Sequence, residues 1–355
     1  MRFLLTEEQS DFARALRGLL AGAEVPAAVR AWAAGDPGPG RALWGRLARA
    51  GLFAPAVPEA YGGAGLLPVE LAVALVEVGR AGVPGPVVET AAAAVLLSRL
   101  GDEAVAKRFL PGLAAGGEAV TLVLPGGSPY ALDADTTAYC FTVSESGELR
   151  VVPAGTGGGA RPLRSTDPAR RLSLPPAGGE LLAVGPHVTA AAGEAARWAR
   201  LLTAAQCLGL GEELLARTVG YARQRTQFGM PIGGFQAVKH RLADTLLALE
   251  FARPLLWAAA LSPAPGEVAA AKLAAGGAAY GAALTALQVH GAVGYTEELD
   301  LSLWLRKARP LRDAWGSPRD CRAAVVAEAP GQAGRFSCQE TPKRSLTQPK
   351  RALKP

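Results

Sequence analysis

Asparagine is absent from the sequence, isoleucine occurs once, at Ile232, and seven lysines stand against thirty arginines. With Ala, Gly, Arg, Pro and Leu in excess, this is the bias of GC-rich coding, so Ala-rich stretches carry little meaning by themselves. Charged residues are few, 19% against 50% hydrophobic, which excludes a wholly disordered chain, and the 43 glycines follow no collagen period. The only histidines are His187, His240 and His290, and Cys140, Cys207, Cys321 and Cys338 are widely spaced with no CxxC pair, so neither a zinc site nor a disulfide framework is expected. GxGxxG, Walker, GxSxG and HExxH motifs are missing, which leaves nucleotide hydrolysis, Rossmann dehydrogenation and the common hydrolase templates without support. The uncharged stretch Leu273 to Thr296 contains Gly276, Gly277, Gln288 and His290, and so reads as a buried bundle helix and turn rather than a membrane span. Glu7 and Glu8 interrupt the N-terminus before any long apolar core develops, so an amphipathic helix, not a signal peptide, is expected there, and with it a soluble cytoplasmic protein.

The net charge of +6 is concentrated at one end: Arg335 to Pro355 carries six basic residues against Glu340. The remaining body is near neutral, so no nucleic-acid face is implied. The 355 residues are ample for two or three domains with a buried core. From Thr6 to about Gly116 apolar residues recur at helical spacing (Phe12, Leu16, Leu19, Leu20; Leu71, Ala74, Leu75, Val78), punctuated by Pro and Gly clusters. Short runs at Ala119 to Leu124, Thr137 to Val143 and Glu148 to Pro153 then read as strands. Helical periodicity returns from His187 in segments to about Arg225, from Phe235 to Ala260 and from Pro265 to Val289. The expected organisation is mainly α with a small β domain: an N-terminal helical domain (1–117), a middle β domain (118–186), a C-terminal helical bundle (187–330) and a disordered basic tail (331–355). The tail reads either as a solvated extension or as an electrostatic contact for an acidic partner or nucleic acid.

Two segments stand out chemically. Arg223 and Arg225 end one helix, Gly229 to Gly234 breaks the chain, and Phe235 opens the next helix. Arginines at such a break can clamp a phosphate with Phe228 stacking beside an aromatic ring, or can simply offset the helix dipole beside a packed phenylalanine. Further on, Gln288 to Gly294 ends a helix in a glycine-spaced turn. It allows close backbone approach to a ligand, or is an ordinary glycine cap followed by a helix N-capped by Thr296, with Glu297 and Glu298 as its first-turn acids.

Together these two segments resemble the acyl-CoA dehydrogenase pattern R-x-x-F-G-x-x-[IL]-x-x-x-Q followed by Q-x-x-G-[GA]-x-G. Gly51 to Leu67 and Leu110 to Val120 are similar to the family's first helix-to-helix turn and to its entry into the β domain. The resemblance covers roughly residues 6 to 327 and implies a helical domain, a β-barrel-like middle domain and a four-helix bundle, assembled as a homo- or hetero-tetramer with FAD shared between chains. It implies further that Arg225, Gln227 and Phe228 contact the pyrophosphate and adenosine of a neighbouring chain's FAD, while Gln236, Gln288, Gly291 and Ala292 line the same cofactor's far end. Many members have glycine where Ala292 stands.

The family's glutamate removes the α-proton of an acyl-CoA, and electrons leave through an electron-transfer flavoprotein; this sequence departs from both usual positions of that base. Trp315 occupies one and Ala199 the other, next to Arg200, which matches an active-site arginine. Glu297, Glu298 and Asp313 are acids near in sequence that match no catalytic position. The loop that hydrogen-bonds the flavin ring is replaced by Leu124 to Pro129, and no tryptophan lies between Trp44 and Trp198 to pack on it. The resemblance therefore implies a chain that lends to a neighbour's flavin and lacks what its own needs, a subunit beside a second, base-bearing acyl-CoA dehydrogenase chain. A self-sufficient enzyme with a displaced base, and a flavin-free scaffold or acyl-CoA binder, remain as alternatives.

Overall fold

A computed structural model describes residues 4–153 and 163–328. The tail expected at 331–355 lies outside the described residues. The chain opens with helices α1 (Glu7–Ala21), α2 (Val25–Ala34) and α3 (Gly38–Arg49), a ribbon of β1 (Ala56–Val57) and β2 (Gly65–Leu66), and helices α4 (Pro68–Ala81), α5 (Val87–Arg99) and α6 (Glu103–Ala114). The first helix starts where Thr6 and Gln9 form a reciprocal capping box.

The β region holds β3 (Val120–Val123), β4 (Ala131–Leu132), β5 (Tyr139–Val143), β6 (Glu148–Pro153), β7 (Leu172–Ser173) and β8 (Glu180–Val184). Four of them form one sheet in the order β3-β5-β6-β8, with β3 parallel to β5 and the other pairs antiparallel. The remaining two, β4 and β7, make a separate antiparallel ribbon beside it. Phe109 of α6 closes the sheet's inner face, meeting Tyr139 and Phe141 edge-on at 5.3 and 5.2 Å.

The C-terminal part comprises α7 (Pro186–Gln224), a tight hairpin of β9 (Thr226–Gln227) and β10 (Met230–Pro231), and helices α8 (Gln236–Leu261), α9 (Pro265–His290), α10 (Leu301–Asp313) and α11 (Pro318–Glu328). Its central helix, α7, is buried on nearly every side from Leu201 to Gly211, because it packs against α4 and α5 on one flank and α8, α9 and α10 on the other. Two glycines make the α4–α7 approach close: a Cβ at Gly79 would lie 2.1 Å from the Gln206 carbonyl oxygen, and one at Gly209 only 1.8 Å from that of Val76. Among the described residues no helix is long and apolar enough to cross a membrane.

One local expectation is corrected. Thr296 does not cap a helix: its hydroxyl donates back to the Val293 carbonyl at 3.0 Å, closing a 3-10 turn over Gly291–Tyr295, and α10 begins only at Leu301. A hydroxyl committed to the preceding turn cannot cap a helix further on, so Glu297 and Glu298 lie in the connecting loop and not in a first turn.

Candidate active site

The loop after α10 folds around two left-handed residues, Trp315 at φ 56° and Gly316 at φ 137°. Two cations grip it from beneath. Arg200, from the middle of α7, donates from Nε to the Trp315 carbonyl at 3.0 Å. Lys272, from α9, is buried and donates from Nζ to the carbonyls of Arg312 at 2.6 Å and Gly316 at 3.4 Å. Burial pushes the Lys272 amine below its usual range, partly offset by the nearby Cys207 and Cys321 thiols. Ala199 is fully buried in α7 and presents no side-chain chemistry.

On its other side the Trp315 indole Nε1–H donates to Oε1 of Glu89 at 3.0 Å. Glu89 sits in the first turn of α5 and is 5% exposed. Together with Leu122, Leu124, Tyr130, Arg170 and Asp313 these two residues line a cleft of about 220 Å³. The rebuilt loop contributes Leu124 and Ser128 to this wall. Behind it Asp133, fully buried, accepts from Trp32 Nε1 at 3.0 Å, and a buried ion pair at 2.9 Å joins Lys307 of α10 to Asp167 of the β region. Desolvation pushes the Asp133 carboxyl up to about 7 against the pull of the Trp32 hydrogen bond and of Arg170.

The acids named from sequence fare differently. Asp313 reaches the cleft rim, but its carboxylate is held by Arg312 at 2.9 Å. Glu297 pairs with Arg306 on the surface, and Glu298 is exposed; neither lines the cleft. No sequence motif points to Glu89 or Arg170. The signal for Glu89 is a lone acid within Val87 to Leu97, a stretch otherwise apolar apart from Thr90.

At the far end of α7 a second constellation forms. The β9–β10 hairpin pairs Gln227 with Met230 across a two-residue turn of Phe228 at φ 52° and Gly229 at φ 79°. Both residues are left-handed, as in the mirror-image turns that suit tight hairpins. Phe228 is 90% exposed and touches Phe235 edge-on at 6.1 Å. Arg225 and Gln227 are exposed, and Arg225 has no ion pair among the described residues. Tyr221 stacks on His290 at 4.1 Å, and Thr245 bonds to Thr285 at 3.1 Å, so the C-termini of α7 and α9 and the N-terminus of α8 share one end of the bundle. Gln236, Gln288, Gly291 and Ala292 are all exposed at that end. The structure thus groups these residues with the arginine hairpin, and separates them from Arg200, Ala199 and Trp315. The 25 positions from Arg200 to Arg225 correspond to roughly 37 Å along one continuous helix.

Exposed cations, amides and an aromatic ring form a donor set that suits a pyrophosphate joined to an aromatic base, the chemistry of FAD. Among the described residues no group of metal-ligating side chains is assembled.

The acyl-CoA dehydrogenase N-terminal domain family matches residues 6–117, and the acyl-CoA dehydrogenase C-terminal domain family matches residues 189–327. The acyl-CoA dehydrogenase IpdE2 of Mycobacterium tuberculosis is 36% identical, over 91% of this chain and 97% of its own length. The ChsE4-ChsE5 complex from Mycobacterium tuberculosis superposes with a TM-score of 0.78 at 25% identity, covering 93% of this chain and 100% of the matched one. A variant of the Tcur3481-Tcur3483 steroid acyl-CoA dehydrogenase does so with 0.77 at 26% identity, covering 90% and 96%. In both helical domains, in the β region between them and over nine-tenths of its length, the chain belongs to the acyl-CoA dehydrogenase family of oxidoreductases.

Proposed function

We propose that this chain takes part in the FAD-dependent α,β-dehydrogenation of an acyl-CoA thioester as one of two unlike subunits. In this reading it lends Arg225, Gln227 and Phe228 to the pyrophosphate and adenosine of a FAD held mainly by a base-bearing partner chain, with Gln236, Gln288, Gly291 and Ala292 along the same cofactor. FAD, when bound, supplies the hydride acceptor, and an electron-transfer flavoprotein removes the electrons. The observation that carries the reading is Phe228: an aromatic side chain 90% exposed, held in a left-handed conformation that costs about 1 kcal/mol or more. Such a residue does little for its own fold, and it sits in the hairpin beyond the end of α7, whose run from Arg200 to Arg225 is roughly 37 Å, out of reach of the chain's own cleft. The two-component complexes among the structural relatives support a heteromer.

The test is the visible spectrum and flavin count of the full chain, alone and co-purified with a base-bearing subunit. A colourless chain that yields a yellow complex is expected, with Arg225→Ala weakening flavin retention of the complex by about tenfold or more, the loss of a charge-assisted contact. One flavin per chain in the isolated protein would instead mark a self-sufficient enzyme, and no flavin in any assembly would mark a scaffold.

A further inference from the structure

The geometry points to Glu89 as the proton acceptor of the cleft beside Trp315, receiving the α-proton of an acyl thioester in place of the glutamate missing from Trp315 and Ala199. The inference rests on the reading that an acyl-CoA is the ligand. It concerns this chain's own cleft, a second proton-accepting site apart from the partner's base, and exchange of an α-proton there requires no electron acceptor.

Three observations carry it. First, Glu89 is a carboxylate 95% removed from solvent by its 5% exposure, on a helix turn whose neighbours Val87, Val88 and Ala91 to Leu97 are apolar and buried. A carboxylate buried there costs stability unless it is held or used. Second, it is held by one oxygen only: the Trp315 indole N–H takes Oε1 at 3.0 Å, and Oε2 has no hydrogen-bond partner among the described residues. Trp315, standing where a base would stand, is thereby a positioning residue for a carboxylate that arrives from another domain. Third, Arg170 lines the same cleft and has no ion pair or side-chain hydrogen bond among the described residues, so its charge, which also acts on the buried Asp133, reaches an anion forming there. The other acid of the wall, Asp313, is 41% exposed and already paired with Arg312, which disfavours it for the task.

The step balances as a proton transfer. The Cα–H bond of the thioester breaks, the proton bonds to the free oxygen of Glu89, and the electron pair delocalises onto the thioester carbonyl oxygen in the field of Arg170. A base positioned in this way contributes a factor on the order of 100 to 10,000.

The experiment isolates that step. The full chain, purified alone, is incubated in D2O with 3-thiaoctanoyl-CoA, whose α-protons are acidified by the flanking sulfur and thioester and whose sulfur at the β position leaves no β-hydride to transfer. Deuterium uptake at the α-carbon is followed by mass spectrometry, and binding by calorimetry, for the wild type, Glu89→Gln, Glu89→Asp and Trp315→Phe. The expected result is exchange well above buffer in the wild type, an approximately 100-fold fall in Glu89→Gln with Kd within about threefold, partial retention in Glu89→Asp, and an intermediate loss in Trp315→Phe. The order of the two Glu89 variants separates the roles. Gln keeps the length and the acceptor for the indole, so a structural role would leave it the milder change, whereas a base requires the Asp variant to exchange faster. Exchange in Glu89→Gln equal to wild type, or a wild type that binds the probe without exchange above buffer, overturns the proposal. A wild type that does not bind the probe overturns the acyl-CoA reading on which it rests.

Discussion

The Nε of Arg200 lies 3.0 Å from the carbonyl oxygen of Trp315, so the residue next to Ala199 in α7 holds the backbone of the turn that follows α10. The arrangement requires the glycine that follows. At φ 137°, Gly316 has a conformation that side-chain-bearing residues rarely adopt, and a Cβ there would meet Arg200 Nε at 2.8 Å and Cys321 Sγ at 3.3 Å. Gly316→Ala is expected to lose about 2 kcal/mol, from strain and from displacement of Arg200. Urea unfolding checks it; a change under about 0.5 kcal/mol would mean that the turn tolerates the Cβ.

Lys272 should matter more than its lone charge suggests. Its Nζ satisfies the Arg312 carbonyl at the end of α10 and reaches that of Gly316, in a site 1% exposed. Lys272→Met keeps the apolar stem and removes the donor, leaving carbonyls orphaned at the helix end. We expect a loss of about 3 kcal/mol together with a shift in tryptophan emission as the Trp315 turn loosens. Thermal unfolding and fluorescence of the folded variant measure the two effects.

Asp133 sets a pH dependence whose sign is unusual for an aspartate. Burial raises its carboxyl from an ordinary value near 3.8 to about 7, so the folded chain binds more protons than the unfolded chain between these limits. Its contribution is fully present below about pH 4 and is lost as pH rises through 7, a change of up to about 4 kcal/mol. Asp133→Asn keeps an acceptor for Trp32 and removes the titration. The variant should therefore gain on the wild type steadily from pH 4 to pH 7.5 in denaturant titrations, and a difference that is flat with pH would contradict the assignment.

Phe228 should separate stability from cofactor retention. Glycine at this position relieves the left-handed strain and removes a ring that is 90% exposed and meets Phe235 edge-on. Phe228→Gly is expected to leave stability within about 1 kcal/mol of wild type or above it, while flavin content of the complex falls. Equal flavin content in both proteins would show that the ring is not a cofactor contact.

Much of the fold is legible along the chain because its signals are local. The capping pair Thr6 and Gln9, the proline-opened helices at Pro186 and Pro265, and the β-rich runs at Tyr139 to Val143 and Glu148 to Pro153 each act within a few residues. The break after α7 is legible for the same reason, from the glycines between Gly229 and Gly234, and the structure shapes it as a tight hairpin. Thr296 shows the limit. A threonine before two glutamates is a sound helix start by local rules, but the 3-10 turn over Gly291–Tyr295 uses its hydroxyl first.

By itself the sequence determined the family, the order of the main helices and strands, the break after Arg225, and the fact that neither Ala199 nor Trp315 can accept a proton. Only the tertiary structure decided which carboxylate meets Trp315. Glu89 and Trp315 are 226 positions apart, and a lone acid in an apolar helix looks the same in sequence whether it faces solvent, a salt bridge or a cleft. Their meeting depends on how α5 and α10 pack around α7, where glycines at 79 and 209 let backbones approach and the half-buried Arg200 and buried Lys272 clamp the final turn. Such contacts come from the sum of many weak packing terms over the whole chain, and no window of neighbouring residues contains them.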